Sequence, residues 1–280
     1  MPEPQPQRFT VPPSAAGQTL IDFLGRSLNL SRRQTKALID TRSVWVDDRR
    51  VWMARHPLRA GNRIEITSGG AAAMPRAPIE VLYRDDHYII ADKPPGLLAD
   101  GPHSVESRLR RRLALPGLSA VHRLDRDTSG CLLLAVDRES FEKMIPLFRA
   151  RAVRKTYRVL VSGRLPSRTQ TLKRPVGGRQ AITHLRPLDA NRRASHVEVT
   201  IETGRTHQIR RHLVSIGHPV IGDRHYATRL PSSDPARHTG RQMLHACGLE
   251  FVQPITGRTV RARSPLPRDF RAALKRLNLT

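Results

Sequence analysis

The chain has 280 residues, of which 38% are hydrophobic, which is enough to bury a core in one large domain with a smaller one beside it. Its 49 Lys and Arg residues against 24 Asp and Glu give a net charge of +25 and a pI near 11.6, which favours a polyanionic partner such as nucleic acid. No apolar run approaches the roughly 20 residues of a membrane span, and two cysteines, Cys131 and Cys247, give neither a disulfide framework nor a clustered metal site, so we expect no membrane association and a cytoplasmic protein.

The first part of the chain predicts a proline-rich tail and then a small folded unit. Residues 1–17 contain five prolines and should be disordered or extended. Residues 18–68 space their apolar positions as two helices, the second with an N-cap at Ser31, followed by a small antiparallel sheet. We place its strands at 44–46, 51–52 and 63–66. Residues 69–78 are rich in small side chains without periodicity, and we expect a linker there.

Residues 79–280 predict a larger second unit in which hairpins alternate with helices. Residues 79–83 and 197–201 alternate apolar with polar side chains, as half-buried strands do. Residues 207–216 space their apolar side chains as a helix, which Gly217 and Pro219 should end. The mixture indicates an α+β unit with a largely antiparallel sheet.

The densest cluster of chemically active side chains is Val121-His122-Arg123-Leu124-Asp125-Arg126-Asp127-Thr128-Ser129-Gly130. It precedes a buried strand candidate at 131–136, so it should form a loop at a sheet end, where catalytic groups concentrate. The neighbouring cations favour the ionised form of Asp125. On its own, the cluster could equally be a surface salt-bridge loop.

A second cluster lies at a strand-to-helix junction and reads Gly204-Arg205-Thr206-His207-Gln208-Ile209-Arg210. Free N–H groups at such a helix start favour an anion, although a solvated basic face is the alternative. Two shorter segments read singly as a turn and a strand start, Lys93-Pro94-Pro95-Gly96-Leu97 and Lys155-Thr156-Tyr157.

Taken in this order and spacing, the four segments resemble the RluA-type family of pseudouridine synthases over about residues 79–272. The segments Leu244-His245-Ala246 and 264–267 fit the same pattern. Residues 18–68 resemble the S-four-type RNA-binding module that often precedes this catalytic domain, through Leu30-Ser31-Arg32, Ala37-Leu38-Ile39 and Leu58-Arg59-Ala60-Gly61. The resemblance implies an α+β pseudouridine synthase fold, with a mostly antiparallel mixed sheet and a central cleft, at residues 79–280. A small α/β RNA-binding module would precede it.

The resemblance also implies roles for single residues. Asp125 would be the catalytic carboxylate, and Arg123 would fill the space left by the flipped base. Tyr157 would stack on the uracil and Arg205 would pair with Asp125. Ile209 would close the opposite face of the base, although a helix-core role suits it equally well.

The implied substrate is structured RNA, with large-subunit ribosomal RNA favoured and transfer RNA as the alternative. We expect no nucleotide cofactor and no metal, since the chain has neither a phosphate-binding glycine loop nor a dinucleotide fingerprint. We also expect a monomer.

Two rival functions remain open at this point. Metal-dependent hydrolysis could use Asp125 with the histidines, although His207 and His212 are five residues apart and should face different sides of a helix. A non-catalytic RNA-binding protein could keep the scaffold of a synthase. Charge alone also leaves an anionic membrane surface or a merely solvated basic face as explanations of the lysines and arginines.

Overall fold

The structure, a computed structural model, describes residues 7–40, 44–47, 49–51, 53–66, 78–226 and 239–280. The chain divides between Arg76 and Ala77 into two units, each with its own core. No helix in the described ranges is long and apolar enough to cross a membrane.

The N-terminal unit joins two helices to a small antiparallel sheet. The helices are α1 (Leu20–Ser27) and α2 (Arg32–Asp40), and the strands are β1 (Gln7–Thr10), β2 (Val44–Val46), β3 (Arg49–Arg50) and β4 (Arg63–Ile66), in the order β1-β4-β2-β3. Ser31 caps α2, because its hydroxyl accepts the N–H of Gln34 (3.3 Å) while the Gln34 side chain accepts the N–H of Ser31 (2.9 Å). The core of this unit includes Leu20, Leu24, Ile39, Val44 and Ile64.

Residues 1–17 were predicted to be disordered or extended, and Gln7–Thr10 form the extended strand β1, which belongs to the folded unit rather than to a tail. This segment pairs along β4, from Gln7 opposite Ile66 to Thr10 opposite Arg63. Phe9 and the buried Val11 supply the apolar contacts that attach it, which the proline content concealed. The strand predicted at 51–52 forms instead at Arg49–Arg50, while Trp52 lies outside the described residues.

The larger unit is built on one sheet that is antiparallel except for a single junction among the described strands. Its strands are β5 (Val81–Arg84), β6 (Tyr88–Lys93), β7 (Ser119–Ala120), β8 (Ser129–Ala135), β9 (Arg154–Ser162), β10 (Gln170–Leu172), β11 (Thr183–Ala190), β12 (Ala194–Ile201), β13 (Leu244–Val252) and β14 (Thr259–Arg263). The order is β10-β11-β12-β9-β13-β8-β6-β5, with β14 paired to β13 and β7 to β8. The helices are α3 (Val105–Leu113), α4 (Arg138–Arg149), α5 (Gln208–Ser215) and α6 (Arg268–Arg276). The predicted α+β class with a mostly antiparallel mixed sheet is confirmed.

Helices cover both faces of this sheet, because successive strand residues point to opposite sides. Tyr157, Val159 and Val161 of β9 belong to the same apolar cluster as Leu109 of α3 and Leu213 of α5. Leu160 of β9 faces the other way and packs with the apolar side of α6. Met144 of α4 packs on the odd-numbered side chains of β8.

The parallel junction lies where β8 meets β13, with Ser129 opposite His245 and Gly130 opposite Ala246. Gly130 has φ +110°, and a Cβ atom there would lie 2.1 Å from the carbonyl oxygen of Ala246. Only glycine permits this approach of the two backbones. The loop 121–128 therefore enters the middle of the sheet rather than its edge.

Candidate active site

One open cleft brings together all five side chains that the sequence predicts as site residues. Its lining includes Arg123, Asp125, Tyr157, Arg205 and Ile209. The remaining lining comes from the loop 121–128, the ends of β12 and β13 and the start of α5. Residues of the two dense sequence clusters thus line the same cleft.

A buried lysine holds the loop that carries Asp125. Lys93, at the end of β6, is fully buried and donates hydrogen bonds to the carbonyl oxygens of Pro94 (3.1 Å), Leu97 (2.6 Å) and Arg126 (2.7 Å). The N–H of Gly96 donates to the same Arg126 oxygen at 2.9 Å. Burial lowers the pKa of Lys93 to about 7. The segment Lys93–Leu97, which by its sequence alone reads as a turn, therefore supports the Asp125 loop. Nothing in the sequence indicated this role.

A second support comes from the segment that leads into β13. The Arg241 guanidinium donates to the carbonyl oxygen of Asp127 (3.0 Å) and to the Ser129 hydroxyl (3.2 Å). Asp269 of α6 holds this guanidinium through two contacts of 2.6 and 3.0 Å. The side-chain amide of Gln242 donates to the Thr128 hydroxyl at 2.9 Å. The Asp125 loop is thus fastened to β6, to the segment before β13 and, through Asp269, to α6.

The carboxylate of Asp125 is oriented by Arg210. Nη1 of Arg210 donates to Oδ2 of Asp125 at 2.9 Å, while its Nε and Nη2 hold the two oxygens of Asp223 at 2.6 and 2.8 Å. The guanidinium also lies 5.0 Å from the ring centre of Tyr226. Burial by itself would lower the pKa of Arg210, but the contacts with Asp223 and Asp125 outweigh it and raise this pKa above its usual value. One fixed cation therefore joins two carboxylates.

Asp125 keeps part of its surface open to the cleft. Its side chain is 26% exposed, and its further contacts are long, at 3.5 Å to the amide of Gln242 and 3.7 Å to Nε2 of His207. A nucleotide in the cleft can therefore reach the carboxylate, whereas the buried Asp223 is out of its reach.

The predicted ion pair between Arg205 and Asp125 is wrong. Arg205 lies in the turn before α5, and its Nε donates to the carbonyl oxygen of Gln180 at 3.2 Å. The helix starts only at Gln208, so the arginine that points at Asp125 is Arg210, in the first turn. The sequence motif contains Arg210 but does not indicate its role. One signal was available: Arg210 follows Ile209 and precedes Leu213 by three positions, which places a charged residue on the apolar side of the helix.

The turn before α5 is fixed by one buried amide and one unusual backbone conformation. The Gln208 side chain accepts from the Thr203 hydroxyl (2.7 Å) and the Arg205 N–H (3.1 Å) and donates to the Ile182 carbonyl (2.9 Å). His207 adopts φ +55° at the helix start, so the sharp turn lies there rather than at Gly204. Its imidazole consequently faces the cleft near Asp125.

The apolar walls of the cleft are Tyr157 and Ile209. Both are nearly buried, with 6% and 5% exposure, and both pack in the core beneath the cleft, so Ile209 serves the core and lines the site at once. Burial first, and then the charge of Asp125, raises the pKa of Tyr157, so its hydroxyl stays protonated. Arg123 differs from both, because its side chain is 77% exposed and only loosely paired with Asp100 at 3.4 Å.

The histidines of the two clusters do not converge. His122 is packed against Phe148, accepts the N–H of Leu133 (3.0 Å) and has its pKa lowered to about 4, mainly by burial. His212 is buried between the Thr183 hydroxyl and the Arg174 carbonyl. Within the described ranges, no group of three or more His, Cys, Asp or Glu side chains is placed to hold a metal ion.

Comparison with known proteins finds similar RNA pseudouridine synthases. The sequence profile described as RNA pseudouridylate synthase matches residues 87–215. The chain is 32% identical to the ribosomal large subunit pseudouridine synthase D of Xanthomonas campestris pv. campestris, over 97% of the chain and 92% of that protein. It is 36% identical to an uncharacterized RNA pseudouridine synthase of Chloroflexus aurantiacus, over 98% of the chain and 95% of that protein. Among solved structures, human RNA pseudouridylate synthase domain containing 1 superposes with a TM-score of 0.57 at 25% identity, over 72% of the chain and 96% of that structure.

Proposed function

From the premise that this chain belongs to the RluA-type family of RNA pseudouridine synthases, and is therefore an isomerase acting on RNA, we propose that it modifies large-subunit ribosomal RNA with Asp125 as its catalytic carboxylate. The observation that carries the assignment is the Asp125 carboxylate itself. It is oriented by Arg210, faces an open cleft and stands beside the ring of Tyr157.

The reaction sets the requirements that such a site has to meet. The bond between N1 of uracil and C1′ breaks, the base turns, a bond from C5 to C1′ forms, and the hydrogen on C5 is lost while N1 gains one. A carboxylate beside C1′ can attack or stabilise this carbon, as carboxylates do at the sugar carbon in glycosidases. The partly exposed Asp125 is suited to this step, whereas Asp223 is buried and serves Arg210.

The base has to leave its stack before it can react, at a cost of a few kcal/mol. Tyr157 offers a flat ring and Ile209 an aliphatic wall on which a flipped uracil can pack, and a base stacked on an aromatic ring gains about 1–3 kcal/mol. The exposed Arg123 at the cleft is long enough to enter the vacated space, and its planar cation stacks on neighbouring bases. Arg205 also lines the cleft and does not pair with Asp125, so its guanidinium is available for a phosphate of the RNA strand that carries the target uridine.

The names of similar proteins support ribosomal RNA as the substrate, and so does the pairing of the catalytic unit with a proposed S-four-type module. Several similar proteins are named as ribosomal large subunit pseudouridine synthase D, in Xanthomonas campestris, Nitrosomonas europaea and Pseudomonas aeruginosa. The N-terminal unit, with α1 and α2 packed together and a small antiparallel sheet, also supports our proposal that residues 18–68 are an S-four-type RNA-binding module.

Mapping pseudouridines in cellular RNA with and without the gene tests the substrate. We expect specific large-subunit positions to lose pseudouridine, and to regain it with the unaltered gene but not with the Asp125→Asn variant. Loss confined to transfer RNA would replace the proposed substrate with that alternative, and an unchanged map would contradict a role in both.

A further inference from the structure

A groove lined by arginine and asparagine side chains lies away from the cleft of Asp125, in the same unit. Its walls are the turn between β11 and β12 (191–193) and the end of α6 (276–278). The side-chain amide of Asn191 donates to the carbonyl oxygen of Leu277 at 2.7 Å and so fastens the two walls together. Arg192, Arg193 and Arg276 present three cations around this groove.

The outer face of α6 continues this positive charge. Its inner face buries Phe270, Ala273 and Leu274. The opposite face of the helix, whose positions also recur three or four residues apart, points outward. Those positions are the exposed Arg268, Arg271 and Lys275. We call this group of cations the α6 surface: Arg192, Arg193, Arg268, Arg271, Lys275 and Arg276.

None of these cations forms an ion pair with another described residue. The one carboxylate within α6, Asp269, is occupied by Arg241. Asp189, near the β11–β12 turn, accepts the N–H and hydroxyl of Thr280. The positive charge of the α6 surface is therefore left for something outside the unit.

Helix α4 of the same unit shows how this chain balances the charge of an ordinary solvated helix. There Arg138 pairs with Glu142 at 2.7 Å and Lys143 with Glu139 at 2.7 Å, each one helical turn apart. Helix α6 is also amphipathic and exposed, yet it carries no such acidic partners. Unbalanced cations in register along a helix and a neighbouring turn fit a row of phosphates.

We propose that the α6 surface binds phosphates of the substrate RNA outside the nucleotide that is modified. The inference rests on the proposed function in one respect, that the substrate is a large structured RNA. The nearest groove residue on this side, Arg193, lies eight residues before Ile201, which lines the cleft, or ~26 Å at the usual strand rise. A stem held there leaves the target uridine free to enter the cleft.

The position of this surface is coupled to that of the catalytic loop. Asp269 of α6 holds Arg241, and Arg241 holds the carbonyl oxygen of Asp127, two residues from Asp125. RNA bound along α6 therefore has a fixed register with respect to the Asp125 carboxylate. A contact of this kind contributes to affinity and register and not to the chemical step.

Two variants that remove the same charge test the proposal. Arg271→Gln/Lys275→Gln removes two cations of the α6 surface, and Arg138→Gln/Lys143→Gln removes two exposed, paired cations of α4. Each would be assayed, with the unaltered protein, for binding of a transcript of large-subunit ribosomal RNA across a salt series. Thermal melting shows that each variant is folded, and Arg192→Gln/Arg276→Gln is an independent second pair.

The α6 variant can no longer neutralise two phosphates, so the slope of log affinity against log salt concentration should become shallower by roughly 1.4–1.8, at about 0.7–0.9 per phosphate. KM for the transcript should rise roughly tenfold, with kcat unchanged. A short stem–loop that carries only the target uridine should show no change in KM. The α4 variant should match the unaltered protein in slope and KM. Equal behaviour of the two variants would overturn the proposal. Should the unaltered protein fail to modify the transcript, the proposed substrate would fail, while the difference in salt slope would still decide whether the α6 surface binds RNA.

Discussion

Asp125 and Asp223 share a single guanidinium, and this places two carboxylates of different exposure on one cation. Arg210 is 4% exposed, and a cation so buried is tolerated only when it is paired and hydrogen-bonded. Asp223 supplies the bidentate contact that fixes the plane of the guanidinium, which leaves Nη1 aimed at Asp125. Arg210 orients the Asp125 carboxylate, and Asp223, which is not among the residues lining the cleft, fixes Arg210.

Arg210→Lys tests this dependence on geometry rather than on charge. A lysine keeps the positive charge but cannot hold Asp223 with two parallel bonds and reach Asp125 as well. We expect kcat to fall roughly 10- to 100-fold, the value of one hydrogen bond to a charged group, with RNA affinity nearly unchanged. Arg205→Lys is the matched control and should keep kcat. Single-turnover rates on saturating RNA compare the two, and a larger loss of kcat for Arg205→Lys would restore the pairing predicted from sequence.

The sequence could place Asp125 in the site but could not name its partner. Asp125 stands in a dense cluster directly before a buried strand, a pattern found in functional loops and in surface salt-bridge loops alike, and the resemblance to the RluA-type family selects the first. The choice between Arg205 and Arg210 depends on where α5 begins, and this is set by the positive φ of His207, which no apolar spacing indicates. Asp223 lies 13 residues further along the chain, so its contact with Arg210 is visible only in the fold.

At the scale of elements, the loop of Asp125 depends on a lysine that connects it to the end of β6. Lys93 donates to the carbonyl oxygen of Leu97, just after β6, and to that of Arg126 in the Asp125 loop, 33 residues away in sequence. The amino group of Lys93 has no exposure to water, so carrying its charge in the folded protein costs free energy. Such a burial should leave a signature in the pH dependence of stability.

The pKa of Lys93 is about 7 in the folded protein, below its usual value of 10.5, with burial as the largest cause. Unfolding therefore takes up a proton between pH 7 and 10, so Lys93 makes the free energy of unfolding rise with pH across this window. In Lys93→Met this contribution is absent. The free energy of unfolding of the unaltered protein minus that of the variant should therefore rise by up to about 1.4 kcal/mol per pH unit between pH 7 and 10. Urea unfolding at a series of pH values measures it, and a difference independent of pH would contradict the account.

Among the elements, strands with clear alternation were predictable and those attached by distant contacts were not. Residues 197–201 alternate and lie in β12, and the apolar run from Cys131 lies in β8. Strand β1 was assigned to the tail rather than to the folded unit because its neighbours are prolines, although Phe9 and Val11 carry the apolar signal. The parallel junction of β8 and β13 depends on Gly130 and Ala246, more than a hundred residues apart, so no local pattern announces it.

At the scale of the whole molecule, the chain consists of two units with separate cores. All residues that we assign to the site belong to the second unit. The first unit should therefore contribute to binding of the RNA rather than to the chemical step.

Removal of the first unit tests this division of labour. A chain that begins at Pro78 should fold, because its core is complete without the first unit. We expect it to modify a short RNA that contains the target uridine at a kcat near that of the full chain, and to bind the full substrate more weakly. Circular dichroism, kinetics on the short RNA and RNA affinity measure the three properties. Insolubility of the shortened chain, or unchanged affinity for the full substrate, would show that the two units do not act separately.

The central claim is that the Asp125 carboxylate acts on C1′ of the target uridine, and Asp125→Asn tests it most directly. The amide keeps the shape of the side chain, but it can neither attack this carbon nor stabilise positive charge on it. The site lies on a loop, so the fold should persist, and RNA binding should remain. Asp127→Asn, two residues away on the same loop, is the matched control and should keep substantial activity.

The measurement is the release of tritium from RNA labelled at C5 of uracil, because this hydrogen is lost when the new bond to C1′ has formed. The account predicts no detectable release by Asp125→Asn under conditions in which the unaltered protein reaches completion, and clear release by Asp127→Asn. Release by Asp125→Asn equal to that of the unaltered protein would contradict the role of Asp125.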